Sequence, residues 1–239
     1  LDFSMTESCK HKEELTQKGK ITPLSAMQLK EIAERKEEFM SAGLEAIRAG
    51  KVGAVLLAGG MGTRLGSDAP KGVYNIGLTK EVYIFQRQVE NLLDVVHQAE
   101  AWIPLYVMTS DKNHEVTKAF FEEKNYFGYN PDYVTFFMQD MAPASDYNGK
   151  VYMEEKYKMS TSPNGNAGWF LSMIKWGVAD QVKEAGVEWL NVFAVDNVLQ
   201  RIADPCFVGA TIVTGSASGA KVVKKNAPDE RVGAICLED

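Results

Sequence analysis

The sequence contains the segment Leu56-Leu57-Ala58-Gly59-Gly60-Met61-Gly62-Thr63-Arg64-Leu65-Gly66, and Pro70-Lys71-Gly72 follows a few residues later. The apolar run Val52 to Ala58 leads into it and predicts a buried strand, because the run is short, contains β-branched residues and is bounded by glycine. The glycines tolerate positive φ and have no Cβ, so the backbone can come close to a bulky anion. Arg64 and Lys71 add two cations. Unpaired N–H groups beside a guanidinium and an ammonium suit a polyphosphate, so we expect a nucleotide phosphate site here.

The glycine spacing differs from that of the two commonest phosphate loops. A Walker A loop places Ser or Thr directly after its lysine to hold magnesium, but Lys71 is followed by Gly72. A dinucleotide fingerprint needs Gly-x-Gly-x-x-Gly, whereas Gly60, Gly62 and Gly66 are spaced one residue too widely. Both alternatives are excluded, and a glycine-rich turn with two solvated cations remains as the purely structural interpretation.

The amino-acid sequence of the loop resembles the signature of sugar nucleotidyltransferases. Together with Pro-Lys-Gly it resembles the UDP-N-acetylhexosamine pyrophosphorylase branch of that group. The resemblance implies that Arg64 holds the leaving pyrophosphate and that Lys71 holds the α-phosphate and the incoming sugar phosphate. It also implies that nucleotide-binding residues of the loop are Ala58, Gly59, Gly60, Gly62 and Thr63. The implied fold is GT-A-like, as in nucleotide-diphospho-sugar transferases.

Composition narrows the class of protein. With 239 residues, 45% of them hydrophobic, the chain can form one large domain or a domain with an appendage. A net charge of -6 argues against a nucleic-acid partner, which would require a basic face. No apolar run approaches the roughly 18 residues of a membrane span. The cysteines Cys9, Cys206 and Cys236 have no metal-binding spacing, and no signal peptide is recognisable, so we expect a reduced, cytoplasmic protein.

Two domains are predicted, an N-terminal helical arm over residues 1–50 and a catalytic domain over residues 51–239. Thr22-Pro23 predicts the start of the arm's helix, since a capping hydroxyl precedes a proline, and Gly43 is a predicted interruption. Apolar residues with helical spacing follow at Leu29, Ile32, Phe39, Leu44 and Ile47. We expect the arm to support the catalytic domain and to carry no chemistry.

Helical and strand patterns alternate after the glycine loop. They predict a helix at Glu81 to Gln98, a strand at Ile103 to Met108, a helix at His114 to Tyr126 and a strand at Val134 to Met138. This alternation predicts an α/β fold with a Rossmann-like, mainly parallel twisted sheet flanked by helices. Ligands of such sheets bind beyond the carboxyl ends of the strands, where the glycine loop, Ser110 and Gln139-Asp140 should lie together.

Two further segments could read the base. The Gln139 amide offers donors and an acceptor to a uracil edge, and the segment Phe136 to Pro143 resembles the family strand whose glutamine recognises uracil. The family has glycine where this chain has Asp140. Ser162 to Trp169 is a second glycine-rich loop before a predicted helix, Trp169 to Val178. It resembles the family's Pro-Asp-Gly-Asn-Gly-Gly segment, so Gly165 and Asn166 carry over as nucleotide-binding residues, whereas Asn164 and Ala167 do not match.

Asp196 is a candidate metal ligand. It interrupts the apolar stretch Val187 to Leu199, where a carboxylate needs a partner or a metal. Mg²⁺ beside a triphosphate would suit it, and Val195-Asp196-Asn197 resembles the family's metal-binding segment. The structural alternative is a cap or turn residue at a strand end. Asp204, before Pro205, is predicted to cap a helix.

The remaining predictions concern a turn in the middle of the chain and the segments near its C-terminal end. Asn148-Gly149 predicts a hairpin turn. Gly219 to Lys225 and Val232 to Ala234 resemble the family's following strands, and Gly233 matches a glycine that lines the sugar site. Lys221 could reach a phosphate or simply be solvated. We expect the catalytic domain to be incomplete at its C-terminal end.

The resemblance implies a uridylyltransferase whose substrates are UTP and a sugar 1-phosphate, N-acetylglucosamine 1-phosphate in first place, with Mg²⁺ as cofactor. Its chemistry suits the residues, because the attacking phosphate oxygen is already anionic and needs positioning and charge neutralisation rather than a general base. A UDP-glucose pyrophosphorylase and a catalytically silent UTP or UDP-sugar binding module are the alternatives. Nothing in the sequence predicts the oligomeric state.

Overall fold

A computed structural model describes residues 19–146, 148–163, 165–227, 229–230 and 232–238, without the side chain of Arg64. The strands in these ranges are β1 (Ile21–Pro23), β2 (Val52–Leu57), β3 (Leu105–Thr109), β4 (Val134–Met138), β5 (Met141–Pro143), β6 (Met153–Glu155), β7 (Lys158–Met159), β8 (Thr161–Pro163), β9 (Trp189–Ala194) and β10 (Cys236–Glu238). The α-helices are α1 (Leu29–Glu34), α2 (Lys36–Arg48), α3 (Ile84–Ala99), α4 (His114–Glu123), α5 (Trp169–Lys175), α6 (Val178–Glu184) and α7 (Pro205–Val213).

The chain folds into two compact units. Among the described residues, the larger unit comprises those within 37–142 and 161–217, and the smaller one comprises those within 19–36, 143–160 and 218–238. The predicted domain boundary at residue 50 stays a prediction, because residues 1–18 of the arm lie outside the described residues.

A parallel sheet of four strands forms the centre of the larger unit, in the order β4-β3-β2-β9. Leu57 pairs with Met108 on one side and with Ala194 on the other, and Thr109 pairs with Met138. The predicted α/β fold with a parallel sheet is therefore confirmed. The same register brings the carboxyl ends of all four strands to one edge of the sheet.

Both faces of this sheet are covered, because successive side chains of a strand point to opposite faces. Ala54 and Leu56 of β2 pack in one apolar cluster with helices α2, α3, α4 and α7. Val55 and Leu57 pack in a second cluster with residues of α5 and α6. This two-sided burial explains why β2 is apolar at every position.

The predicted N-terminal helix start is wrong. Thr22-Pro23 belongs to β1, which pairs antiparallel with β10, and the first described helix begins at Leu29. The partner strand lies more than two hundred residues away, so the local capping pattern could not reveal it. The predicted interruption is also misplaced, because the helix breaks at Arg35 whereas Gly43 lies buried inside α2.

Two predicted helices end earlier than expected. The helix from His114 ends at Glu123, because Asn125, Tyr126 and Phe127 adopt positive φ of 49°, 49° and 54°. The helix from Trp169 ends at Lys175, and α6 begins after Gly177, whose φ is +69°. Local hydrophobic spacing continues across both breaks, which is why it overestimates the lengths.

The smaller unit is built from short antiparallel pairs. β6 pairs with β7, and a bridge joins Ser145 to Val151 around the predicted Asn148-Gly149 turn, which is thereby confirmed. The strands expected at Gly219 to Lys225 and Val232 to Ala234 are not formed within the residues described there. The nearby strand is β10 instead, since its residues have a ladder partner in β1.

Candidate functional site

The glycine loop, residues 58–66, begins where β2 ends and folds back on the segment that follows it. The Gly62 N–H donates to the Ala69 carbonyl (2.8 Å), and the Lys71 N–H donates to the Gly60 carbonyl (3.2 Å). These bonds close the loop and bring Lys71 beside the glycines, although it lies well past them in the sequence. The glycine loop and the segment that carries Lys71 therefore form one hydrogen-bonded unit.

Gln139 lies against the start of the same loop. It follows β4, its backbone N–H donates to the Thr109 carbonyl (2.8 Å), and it is only 7% exposed. A Cβ on Gly59 would lie 2.2 Å from Gln139 Nε2, so glycine at position 59 leaves room for the end of the Gln139 side chain. The Gln139 amide makes no hydrogen bond within the part of the chain that the structure describes. Its donors and acceptor are therefore available to a ligand.

Lys71 and Asp196 form an ion pair at this edge. Lys71 begins the short 3-10 helix Lys71–Val73, while Asp196 follows β9, the strand next to β2. The Lys71 side chain is 14% exposed and that of Asp196 is 63% exposed, so the carboxylate faces solvent more than the ammonium does. The predicted phosphate ligand and the predicted metal ligand are thus direct neighbours, a contact that the sequence did not reveal.

Lys71 is held in place by the glycine next to it. Gly72 is buried, and a Cβ there would lie 2.1 Å from the ring of Phe85 in α3. Phe85 itself is fully buried in the core cluster. The ammonium therefore extends from a backbone that rests directly on the packed core.

The second glycine-rich loop is connected to the Gln139 segment through α5. Ser172 Oγ donates to the Gly168 carbonyl (3.0 Å) and accepts from the Asp140 N–H (3.2 Å). Lys175 Nζ and Asp140 Oδ1 form an ion pair at 2.5 Å. Asp140 thus has a basic partner, and the hydroxyl of Ser172 joins the two predicted halves of the base site.

The predicted residues in that loop are exposed. Gly165 has a φ of +83°, and Asn166 begins the 3-10 helix Asn166–Gly168. Asn164 lies outside the described residues. The positive φ gives a physical reason for glycine at position 165, where a side chain would strain the backbone.

Other predicted site residues are placed less directly. Thr63 begins the 3-10 helix Thr63–Leu65 and is exposed, and Ala58 is buried directly after β2. The side chain of Arg64 lies outside the described residues, so its role stays a prediction. Gly233 belongs to the smaller compact unit and is exposed, so its sugar-binding role stays a prediction as well.

The described residues contain no group of three or more His, Cys, Asp or Glu that could hold a metal by themselves. Asp204 accepts from the Cys206 N–H at the start of α7, so its predicted capping role is confirmed. None of the helices in the described residues is long and apolar enough to cross a membrane.

Burial lowers the pKa of His114 below its ordinary value, with smaller opposing and reinforcing effects of Glu115 and Lys118. Its Nδ1 lies 2.7 Å from Thr109 Oγ1, and that hydroxyl also donates to the Phe137 carbonyl (3.0 Å). These contacts join α4 to the ends of β3 and β4. A neutral imidazole suits this position.

Known proteins are similar to this chain in sequence and in architecture. The family described as UTP--glucose-1-phosphate uridylyltransferase matches residues 3–239. The chain is 42% identical over 213 residues to UDP-N-acetylglucosamine diphosphorylase 2 of Arabidopsis thaliana, covering 84% of this chain and 42% of that protein. It is 40% identical over 211 residues to UDP-N-acetylglucosamine pyrophosphorylase of Saccharomyces cerevisiae, covering 87% of this chain and 44% of that protein.

A solved structure agrees with these relatives. The chain superposes with a TM-score of 0.86 and 30% identity on the uridine diphosphate N-acetylglucosamine pyrophosphorylase of Trypanosoma brucei, covering 97% of this chain and 49% of that one. The chain spans less than half the length of the curated relatives it matches. From the extent of the family match, together with identities near 40% to the curated relatives, the chain belongs to the UTP--glucose-1-phosphate uridylyltransferase family.

Proposed function

We propose that this chain forms the nucleotide-binding part of a uridylyltransferase that condenses UTP with a sugar 1-phosphate to give a UDP-sugar and pyrophosphate. The observation that carries the proposal is the arrangement at one sheet edge: the Gln139 amide, unpaired within the described residues, lies against Gly59, and the Lys71–Asp196 pair lies beside the same loop. An amide suits a uracil edge, and glycine N–H groups with an ammonium suit a polyphosphate.

The reaction needs no protein nucleophile. An oxygen of the sugar phosphate attacks the α-phosphorus, the new P–O bond forms as the bond to the β-phosphate oxygen breaks, and pyrophosphate leaves with that electron pair. In this proposal Lys71 binds the α-phosphate and the sugar phosphate, and Arg64 binds the leaving group. Positioning and charge neutralisation therefore supply the rate acceleration.

Mg²⁺ is the proposed cofactor, and Asp196 is the residue that would hold it. A single exposed carboxylate fits this ion, which usually takes one or two carboxylates together with substrate phosphate oxygens and water. When bound, Mg²⁺ would neutralise phosphate charge as the leaving group departs. Lys71 would then exchange its carboxylate partner for phosphate oxygens.

N-acetylglucosamine 1-phosphate is the proposed sugar substrate. The relatives at about 40% identity are named for UDP-N-acetylglucosamine, which supports this choice over glucose 1-phosphate. A cytoplasmic location is a further proposal, and the binding of UTP without turnover is the alternative to the proposed transfer reaction.

Pyrophosphate release distinguishes these possibilities. The chain is incubated with UTP and Mg²⁺ and with either N-acetylglucosamine 1-phosphate or glucose 1-phosphate, and UTP binding is measured in parallel by calorimetry. Release with the first sugar only is the expected result. UTP binding without pyrophosphate release in the presence of either sugar phosphate would show that the chain is a binding module and not an enzyme. Absence of UTP binding would reject the proposed site.

A further inference from the structure

Asn113 lies directly before α4 and is fully buried. An asparagine at this position ordinarily uses its side-chain oxygen to cap its own helix, but no such bond is present here. Its Oδ1 instead accepts from the Ser110 N–H (2.8 Å) at the end of β3. Its Nδ2 donates to the Ala58 carbonyl (3.0 Å), and the Gly60 carbonyl lies 3.5 Å away.

These contacts determine the direction of the loop peptides. In a trans peptide the C=O and the following N–H point in opposite directions. Because Asn113 holds the Ala58 carbonyl, the N–H of Gly59 points away from Asn113. By the same geometry the Gly60 carbonyl, which accepts from Lys71 and lies close to Asn113, turns the N–H of Met61 away from Asn113. The N–H groups of Gly59 and Met61 donate to no acceptor within the described residues. Carbonyls thus face the protein, and amide donors are left for a ligand.

We propose that Asn113 is a positioning residue for the nucleotide loop: it holds the carbonyls of Ala58 and Gly60 inward, so that the N–H groups of Gly59 and Met61 face the nucleotide phosphates. The inference rests on the proposed function and extends it to a residue that touches no substrate. An asparagine suits this task because it combines an acceptor for Ser110 with donors for the loop, whereas an ionised aspartate has no donor.

The substitution Asn113→Asp separates positioning from simple filling of the core. It preserves side-chain shape and the acceptor for Ser110, but it removes the donor and places a carboxylate beside two carbonyls. We expect the Kd for UTP to rise about tenfold or more near pH 8. At lower pH the Kd of Asn113→Asp for UTP should move closer to that of the wild-type chain in the same buffer, because a protonated carboxyl regains an O–H donor.

Phe121→Leu is the matched control for lost stability. Phe121 is fully buried on the same helix, α4, and contacts the aromatic core rather than the glycine loop. This variant should melt at a lower temperature, while its Kd for UTP, measured where it is folded, stays within about twofold of wild type. A loss of UTP affinity equal to that of Asn113→Asp would overturn the proposal.

A measurement without nucleotide keeps the two proposals distinguishable. The ¹H–¹⁵N resonances and exchange rates of the Gly59 and Met61 amides should change in Asn113→Asp even when UTP is absent. Unchanged resonances and exchange rates of these two amides in a chain that binds UTP would overturn the positioning role and leave the proposed function intact. If the wild-type chain binds no UTP, the proposed function fails and this role in nucleotide presentation fails with it.

Discussion

Lys71 and Asp196 neutralise each other at the edge of the sheet, and each has a role in the proposed chemistry that requires a different partner. Their contact is a property of two residues that lie 125 positions apart. The role of each residue was predicted from its neighbours in the sequence alone. Only the parallel neighbours β2 and β9 bring them together, because the glycine loop and Asp196 follow adjacent strands.

The substitution Asp196→Asn should remove most of the dependence of UTP affinity on Mg²⁺, since the amide carries no charge to bind the ion. We expect the gain in affinity on adding Mg²⁺ to fall by about tenfold relative to wild type. Calorimetric titrations with Mg²⁺ and with a chelator measure it. Asp140→Asn is the control, because Asp140 pairs with Lys175 at the same edge and its substitution should leave the Mg²⁺ response unchanged. A Mg²⁺ response in Asp196→Asn equal to that of the wild-type chain would place the ion elsewhere.

Gly59→Ala should weaken UTP binding with little change in stability. The added Cβ would displace the end of the flexible Gln139 side chain rather than backbone, so the cost to folding should be about 1 kcal/mol or less. Displacement of the amide should still lower UTP affinity by about tenfold. Melting curves and UTP titrations test the two parts, and full UTP affinity in this variant would remove Gln139 from the site.

His114 should make stability depend on pH. Burial lowers its pKa in the folded state below 6.5, so below that pH the unfolded chain binds the proton more readily. The stabilising contribution of the neutral ring is present above pH 6.5 and is lost as the pH falls through the folded-state pKa. Urea unfolding between about pH 7.5 and about pH 5 should show a smaller loss in His114→Asn than in wild type. Equal losses in both would assign the pH dependence to other groups.

Helices α2 and α7 illustrate how elements pack in this fold. A Cβ on Gly43 would lie 1.9 Å from the Pro205 carbonyl oxygen, and one on Gly209 would lie 1.8 Å from the Phe39 carbonyl oxygen. Each helix thus uses a glycine to admit the backbone of the other. Helical periodicity predicts where α2 lies in the chain, but the spacing of two backbones is a property of the pair of elements.

Gly43→Ala should therefore destabilise the chain although alanine favours helices. The new methyl group would meet backbone that cannot rotate away, and the expected loss is about 1–3 kcal/mol or more. Chemical denaturation measures it. Ser41→Ala, on an exposed position of the same helix, is the control and should change stability by about 0.5 kcal/mol or less. Similar effects of the two substitutions would contradict the close packing of α2 on α7.

At the scale of the whole molecule, the parallel sheet could be predicted because its strands and helices alternate locally along the chain. The edge that holds the glycine loop, Gln139 and Asp196 follows from that topology. The pairing of β1 with β10 could not be predicted, because the capping pattern of Thr22-Pro23 competes with a partner that is distant in sequence. Asn113 was missed for another reason: its spacing is that of an ordinary helix cap, and only the direction of its side chain reveals its contacts.

The amide of Gln139, which has no partner in the described part of the chain, also provides a means of rejection. Any nucleobase that covers this side chain removes it from water, so a base that fails to match its hydrogen-bonding groups leaves them buried and unsatisfied. Such a mismatch costs about 1–3 kcal/mol, which corresponds to roughly 5- to 150-fold in affinity. Discrimination among nucleoside triphosphates at this edge would then arise as much from the cost of the wrong base as from attraction of the right one.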